Sequence, residues 1–343
     1  LVVLVVMATT LANGTPIVDK AKDAAKSVGD KAKDTAAAVE AKAKDTAAAV
    51  GAKVPGAKAF GAAWKAACAA GGTIIVPKGE YLVEALEFKG PCKGPVTMEL
   101  NGNLKAPAAV KSTKPHSGWV DFENIADFTL NGNKAIFDGQ GALAWKANDC
   151  AKTGKCNSLP IVSTFDYGTE NLIVENVECG PGHGISIGSL GRYPNEQPVK
   201  GVTVRKCLIK NTDNGVRIKT WPGSPPGVAS NILFEDITMD NVSTPVLIDQ
   251  EYCPYGHCKA GVPSQVKLSD VTIKNIKGTS ATKVAVKLMC SKGVPCTNIA
   301  LSDINLVHNG KEGPAVSACS NIKPVLTGKL VPAACTEVAK PGP

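Results

Sequence analysis

The fold is decided by three consecutive segments: NLIVENVEC from Asn171, VTVRKCLIKN from Val202 and ILFEDITMDN from Ile232. In each segment apolar and polar residues alternate with a period of two, and Val, Ile and Thr are frequent, which is typical of β-strands. Two further segments, VKLSDVTIKN from Val266 and IALSDINLV from Ile299, continue the series. The five segments predict a repeating β-structure.

The spacing of these segments predicts a solenoid. If equivalent positions are held by Val174, Val204, Phe234, Leu268 and Leu301, the repeats measure 30, 30, 34 and 33 residues. Repeats of about this length stack into solenoids, and strand-forming repeats make a parallel β-helix. A β-sandwich would need hairpin turn signals between consecutive strands, which this spacing does not supply. We therefore predict an all-β fold, a right-handed single-stranded parallel β-helix with a short N-terminal helical segment.

A second short strand is predicted downstream in each repeat: GISIG from Gly184, VRIK from Val216, PVLI from Pro245 and VAVKL from Val284. Stacked in register, such strands would present outward polar residues along one sheet and form a long groove suited to a linear polymer. Residues 119–141 show the same alternation and fit an earlier coil. Residues 59–83 are predicted to form a helix, placed to cap the N-terminal end of the solenoid, and then a strand.

The chain divides into three parts by composition. Residues 1–14 begin LVVLVVMATTLA, which predicts part of a secretory signal peptide. Residues 15–58 are largely Ala, Lys, Asp and Val, with KAKDTAAAV repeated from Lys31 and Lys42, and we expect a marginal helix or disorder there. This part resembles late-embryogenesis-abundant repeats; a tolerated linker and a desiccation or membrane-surface helix both fit it. Residues 59–338 are predicted to form the β-helix domain.

The cysteines indicate an oxidising compartment. The chain has 12, and six form close pairs: Cys150 and Cys156, Cys253 and Cys258, Cys290 and Cys296. Zinc sites would need CxxC pairs or clustered histidines, which this sequence lacks, so we predict disulfides and expect no metal and no cofactor. The sequons at Asn13 and Asn241 fit a secreted glycoprotein.

The charge balance favours a polyanionic partner. Lys and Arg number 38 against 30 Asp and Glu, which gives a net charge of +8. Composition alone leaves nucleic acid and acidic polysaccharide open. After the first residues, no segment has the length and hydrophobicity to span a bilayer, so we expect a soluble, extracellular protein.

Several motifs carry a family resemblance. CGPGHGISIGSLGRYP begins at Cys179, NTDNGVRIKTWPG begins at Asn211, and LIDQEYC contains Tyr252. FDGQG begins at Phe137, and Trp145 follows it. In this order and spacing, the motifs resemble the Gly-His-Gly motif, the Arg-Ile-Lys motif and the downstream tyrosine of plant polygalacturonases, with the pollen exopolygalacturonase branch the nearest.

The resemblance implies inverting hydrolysis of α-1,4-galacturonosyl linkages in cell-wall pectin. It implies a place for His183 beside the catalytic carboxylates, so His183 is the candidate catalytic residue. Arg217 and Lys219 alternate on one strand and therefore face the same way. They are the candidates for binding sugar carboxylates, Arg as a fork and Lys as a point charge. Tyr252 is a candidate for stacking on the sugar or hydrogen-bonding to it, with buried packing as the alternative.

The segment upstream of His183 departs from the family pattern. Family members carry an Asn-Thr-Asp motif and then an Asp-Asp pair before Gly-His-Gly, and neither occurs between Cys156 and Gly184. Only Tyr167 separates Phe165-Asp166 from the GTENLIVENV segment, where the family has several coils. We infer that whole coils are missing at this junction.

Two residues need comment because of this deletion. Asp213 lies in an Asn-Thr-Asp triplet, but the triplet follows His183 and adjoins the Arg-Ile-Lys strand, so we assign no catalytic role to Asp213. Cys179 is expected to lose the disulfide partner that the family supplies.

Two functions therefore remain open. One is a polygalacturonase-like hydrolase whose activity is impaired by the loss of both carboxylate motifs; the other is an inactive pectin-binding pseudoenzyme. A pectate lyase would need a cluster of aspartates for Ca²⁺, and a nucleic-acid-binding protein would interleave basic and aromatic residues; neither pattern occurs. We expect a monomer that binds polygalacturonate and neither nucleic acid nor membrane.

Overall fold

The computed structural model describes residues 3–5, 57–107, 118–140, 161–165, 167–254, 258–259 and 261–333. Helix α1 (Ala57–Ala70) precedes the first coil. Phe60, Trp64 and Ala67 recur at helical spacing on one face of α1 and are buried. The Trp64 ring packs 5.0 Å from that of Phe88. The predicted N-terminal helix is confirmed, and it covers the end of the core.

A fifteen-stranded sheet contributes two strands to each coil. The first strands of the early coils are β1 (Val3–Val5), β2 (Gly72–Val76), β5 (Val96–Leu100), β8 (Ala126–Asn131), β11 (Glu170–Glu175) and β14 (Val199–Arg205). The second strands are β3 (Glu80–Leu82), β6 (Asn103–Lys105), β9 (Ile136–Asp138), β12 (Glu178–Cys179) and β15 (Leu208–Lys210). In later coils both run together, in β17 (Gly227–Val242), β19 (Val266–Ser280) and β21 (Thr297–His308), and β23 (Val325–Val331) closes the series.

An eight-stranded sheet supplies the third strand of each coil. Its members are β4 (Leu86–Lys89), β7 (Gly118–Glu123), β10 (Ile161–Phe165), β13 (Ile185–Leu190), β16 (Asn214–Thr220), β18 (Thr244–Asp249), β20 (Val284–Met289) and β22 (Val316–Ser320). Neighbouring strands in both sheets pair in parallel. Parallel strands joined by a full coil wind with a right-handed sense. The predicted parallel β-helix is confirmed.

The core follows from strand alternation. In the eight-stranded sheet, equivalent inward positions are aliphatic or aromatic and stack along the axis, as in Val216, Val246 and Val286. The second strands predicted in the sequence correspond to β13, β16, β18 and β20. Because each coil buries its apolar face against its neighbours, the fold needs no other layer.

The coils on either side of the predicted deletion are stacked in register. Phe165 at the end of β10 pairs with Phe122 of β7 and with Ile187 of β13. Its ring stacks on that of Phe122 with centroids 5.3 Å apart, and Phe122 stacks on Phe88 at 5.1 Å. This aromatic column lies in the coils before the junction, and Phe165 links its end to the coil after the junction through the pairing with Ile187.

One equivalence inferred from the sequence is wrong. Phe234 pairs with Ile273, not with Leu268, which instead pairs with Ala229. An alternating pattern fixes the face of a residue only while the strand is regular, and Asp270, between the two candidates, has a positive φ of 56°. With the correct alignment, the repeat from Phe234 to its equivalent in β19 is longer than the sequence analysis assigned.

The cysteines are partly as predicted. Disulfides join Cys253 to Cys258 and Cys290 to Cys296, which confirms two of the close pairs, whereas Cys150 and Cys156 lie outside the described residues. A further bond, Cys68–Cys92, ties α1 to the first coil and was not predicted. Cys179 and Cys207 are buried free thiols, so Cys179 is unpaired as expected.

The N-terminal predictions are mostly beyond the described ranges. Val3–Val5 forms β1 beside β2, and the rest of the proposed signal peptide and residues 15–56 of the low-complexity part are outside them. Within the described ranges, no helix has the length and hydrophobicity that crossing a bilayer requires.

Candidate functional site

The outer face of the eight-stranded sheet carries a polar row. Ser186, Arg217, Leu247 and Lys287 occupy equivalent positions on four successive strands. Two residues further along the strands, a second row contains Lys219 and Asp249. Since strand neighbours are roughly 4.8 Å apart, the rows form a groove floor along the axis of the solenoid.

The two predicted sugar-binding cations are buried in this groove. Arg217 and Lys219 are 6% and 1% exposed. The Arg217 Nε donates a hydrogen bond to Ser186 Oγ at 2.9 Å, while its Nη2 is buried without a hydrogen-bond partner among the described residues. Solvated charges on a strand face would be exposed, whereas both of these side chains are buried. Asp213 and Asp249 lie near the Arg217 guanidinium, but its Nη2 is still a buried donor that a carboxylate ligand would satisfy.

Tyr252 completes this group. Its ring centroid lies 5.9 Å from the Arg217 Cζ and 5.0 Å from the Lys219 Nζ. On its other side the ring meets Trp221 edge to face at 5.7 Å. Tyr252 is half-buried, so it is neither a core residue nor an isolated surface residue. The structure brings all three predicted sugar-binding residues together.

His183 lies in the turn before β13, and its Nε2 is 3.8 Å from Asp213 Oδ2. Burial, together with the nearby Arg217 and Lys219 cations, lowers the pKa of His183 to about 4. The imidazole is therefore neutral at neutral pH. Burial raises the pKa of Asp213, and Arg217 opposes that shift. The structure thus places Asp213 beside the candidate catalytic residue, which its position in the sequence did not suggest.

Asp249 is a groove residue that the sequence analysis missed. It ends β18 in register with Lys219, and its Oδ1 accepts a hydrogen bond from the Glu251 N–H at 3.0 Å. Burial raises the pKa of Asp249, while the Glu251 N–H, Lys287, Arg217 and Lys219 act in the opposite direction. Its place in the LIDQEYC segment, three residues before Tyr252, was the available signal.

The spacing of these two carboxylates decides what they can do. Asp213 precedes the start of β16, and Asp249 aligns with Lys219 six residues further along. At about 3.3 Å per residue the two backbones are roughly 20 Å apart along the strand direction. An inverting glycosidase needs its carboxyl groups about 6.5–9.5 Å apart. Asp213 and Asp249 therefore do not form such a pair, and Asp166 at the junction is outside the described residues.

In the described ranges, no group of three or more His, Cys, Asp or Glu side chains could hold a metal ion.

Comparison with known proteins places the chain in a family. The model for glycosyl hydrolases family 28 matches residues 68–167 and 162–335, which together cover most of the chain. The chain belongs to glycosyl hydrolases family 28. It is 72% identical to an exopolygalacturonase from Arabidopsis thaliana, covering 100% of this chain and 98% of that protein. It is 42% identical to an exopolygalacturonase from Oenothera organensis (80% and 96% covered) and 38% identical to a polygalacturonase from Gossypium hirsutum (81% and 86%).

Two features of these matches bear on the predicted loss of coils. The family 28 model matches in two pieces that meet at residues 162–167, where β10 ends. The alignment with the Arabidopsis relative spans 433 positions on a chain of 343 residues, so about 90 of its positions have no counterpart here. Together these positions equal the length of about three coils of 30 residues.

Proposed function

We propose that this family 28 protein binds polygalacturonate, the uronic-acid polymer of pectin, in the groove on its eight-stranded sheet. The observation that carries the proposal is the buried pair Arg217 and Lys219 beside Tyr252. A guanidinium and an ammonium held side by side suit the carboxylates of neighbouring sugars, and a half-buried tyrosine ring suits a sugar face. The polygalacturonases among its relatives support this substrate, and their class implies action outside the cell, in the cell wall.

The reaction of this class would be inverting hydrolysis of the α-1,4-galacturonosyl bond. In that reaction a carboxylic acid protonates the leaving oxygen while a carboxylate activates water on the opposite face of the ring. His183, neutral at neutral pH and 3.8 Å from Asp213, fits a role in the surrounding proton network. Hydrolysis still needs two carboxyl groups at the right separation.

For this form of the chain we propose binding without efficient hydrolysis. Three points support it. The family match divides at residues 162–167, about 90 aligned positions have no counterpart in this chain, and the backbones of Asp213 and Asp249 are roughly 20 Å apart along the strand direction. Loss of general acid and base typically costs 10²–10⁴-fold in rate for each group. The sugar-binding residues all follow the junction in sequence and keep their coils.

Binding is tested by pull-down on insoluble polygalacturonate, together with a measured dissociation constant for oligogalacturonates. We expect binding by the wild-type chain and its loss in the double variant Arg217→Ala, Lys219→Ala. The matched control is Lys323→Ala, Lys329→Ala, which removes the same charge from exposed positions on the last coils.

Arg217→Lys separates shape from charge, because it keeps the cation but loses the fork that binds a carboxylate at two points. We expect it to weaken binding while circular dichroism and the melting temperature show a folded chain. Equal binding by the wild-type chain and the double variant would overturn the proposal.

A further inference from the structure

The strand that carries Arg217 and Lys219 continues into an aromatic residue. Trp221 directly follows β16, and since alternate residues of an extended chain face the same way, its side chain follows the same face as those two cations. The Trp221 N–H donates a backbone hydrogen bond to the Leu190 carbonyl at 2.9 Å. The loop after β13, which begins at Gly191, therefore lies beside Trp221.

That loop places an arginine on the tryptophan. The Arg192 Cζ is 5.5 Å from the Trp221 ring centroid and 5.4 Å from that of Tyr193. Trp221 in turn meets Tyr252 at 5.7 Å. A continuous surface of aromatic rings and cations thus runs from Lys219 through Tyr252 and Trp221 to Arg192.

The loop is held rigidly by one carboxylate. Glu196 accepts backbone hydrogen bonds from Gly191 at 2.6 Å, Arg192 at 2.9 Å and Tyr193 at 2.8 Å. Three hydrogen bonds to one carboxyl group fix the backbone from which Arg192 extends, so little ordering remains to be done when a ligand binds. The Glu196 carboxyl group accepts hydrogen bonds from the backbone and forms no ion pair with Arg192. Among the described residues, no ion pair involves Arg192.

The side chains leave polar groups ready for a ligand. A guanidinium stacked on a ring uses its face, and its N–H edge remains able to bind a carboxylate at two points. Arg192 is exposed, as such a role requires. Trp221 Nε1 is buried without a hydrogen-bond partner among the described residues. An oxygen of a bound sugar would satisfy that donor.

We infer that Arg192 and Trp221 form an outer subsite, which binds a uronate residue of the polymer beyond the one held by Arg217 and Lys219. The inference rests on the proposed binding of polygalacturonate and adds a residue-level basis for recognising longer chains. Arg192 supplies the charge for the carboxylate, and Trp221 with Tyr252 supplies the apolar platform between the two subsites.

The test is the dependence of affinity on oligomer length. Calorimetry measures dissociation constants for digalacturonate and hexagalacturonate with the wild-type chain, Arg192→Gln, Trp221→Phe and the charge-matched control Lys323→Gln. We expect Arg192→Gln to weaken hexagalacturonate binding about tenfold, the value of one charge-assisted contact, and to change digalacturonate binding less than about twofold. Trp221→Phe keeps a ring but removes the N–H, and we expect a smaller loss, again confined to the hexamer.

The outcomes separate this inference from the function on which it rests. Binding of both oligomers by the wild-type chain, with Arg192→Gln equal to Lys323→Gln on each, overturns the outer subsite alone. An equal loss on both oligomers also overturns it, since Arg192 would then act in the inner site. No binding of either oligomer by the wild-type chain overturns the proposed function, and the subsite with it.

Discussion

The Nε2 atom of His183 lies 3.8 Å from Oδ2 of Asp213, although the two residues belong to successive coils of the solenoid. Gly182 pairs with Thr212 across these coils, and the Asp213 N–H donates to the Gly182 carbonyl at 2.8 Å. The backbone register therefore sets the approach of the two side chains, while burial and the neighbouring cations keep the imidazole neutral. Asp213 is therefore part of the site because it lies beside His183, although it lies far from Asp249.

The pKa of His183 predicts how stability depends on pH. The folded-state pKa of about 4 lies below the ordinary value of 6.5. Between these values the unfolded chain binds a proton that the folded chain does not, so stability falls as pH drops from 6.5 towards 4. We expect His183→Gln to remove up to about 3 kcal/mol of that loss.

The check is urea unfolding of both proteins at several pH values across this window, compared as differences so that groups common to both cancel. A wild-type chain and variant with parallel pH profiles would contradict the low pKa. A shifted His183 signal in NMR titration provides an independent reading.

His308 predicts the opposite dependence. Its Nε2 lies 2.8 Å from Glu312 Oε2 and its Nδ1 lies 3.0 Å from the Ser280 carbonyl, and these partners raise its pKa. The stabilisation is fully present below the ordinary pKa of 6.5 and is lost as pH rises through the higher folded-state value. We expect Glu312→Gln to lower the melting temperature more at about pH 6 than at about pH 9. An equal effect at both values would show that the ion pair does not stabilise the fold.

The two buried thiols should be unreactive in the folded protein. Burial raises the pKa of Cys179 and of Cys207 to about 12 in each case, and the thiolate is the reactive form. We expect iodoacetamide at about pH 8 to leave both unmodified until the chain is unfolded, as read by peptide mass spectrometry. Rapid modification of Cys179 under native conditions would show that the coil after the junction is open at β12.

The aromatic column at the junction should be essential to stability. Phe165 is 1% exposed and stacks on Phe122 at 5.3 Å. We expect Phe165→Ala to lower the free energy of unfolding by about 3–5 kcal/mol. Val325→Ala, at a position 53% exposed, is the control and should change it by less than about 0.5 kcal/mol. A small effect of Phe165→Ala would mean that this ring does not anchor the last coil before the junction.

The fold could be predicted from the sequence because alternation and repeat length are local properties of the chain. Register was harder to predict. The error of five residues at Leu268 arose because both Leu268 and Ile273 are buried and the positive φ of Asp270, within β19, interrupts the alternation. The cysteine pair Cys68–Cys92 was missed because its members are 24 residues apart, and only stacking brings them together.

The candidate site, like the fold, could be predicted from the sequence only in part. Arg217, Lys219 and Tyr252 were predicted because motifs mark them, and the structure adds their burial and mutual contacts. Asp249 and Arg192 lie within the quoted motifs, but the resemblance assigns no role to either position. Arg192 enters the groove region only because the loop after β13 lies beside Trp221 of the next coil, which is a contact between coils that no single segment encodes.

The central claim is that this chain binds polygalacturonate without hydrolysing it efficiently. The most direct measurement is the release of reducing ends from polygalacturonate by the purified chain, under conditions in which pull-down shows it bound to the polymer. We predict retention on the polymer with release no greater than that of a His183→Ala variant. Release well above that variant would contradict the account, because it would require a working acid–base pair in the chain as it stands.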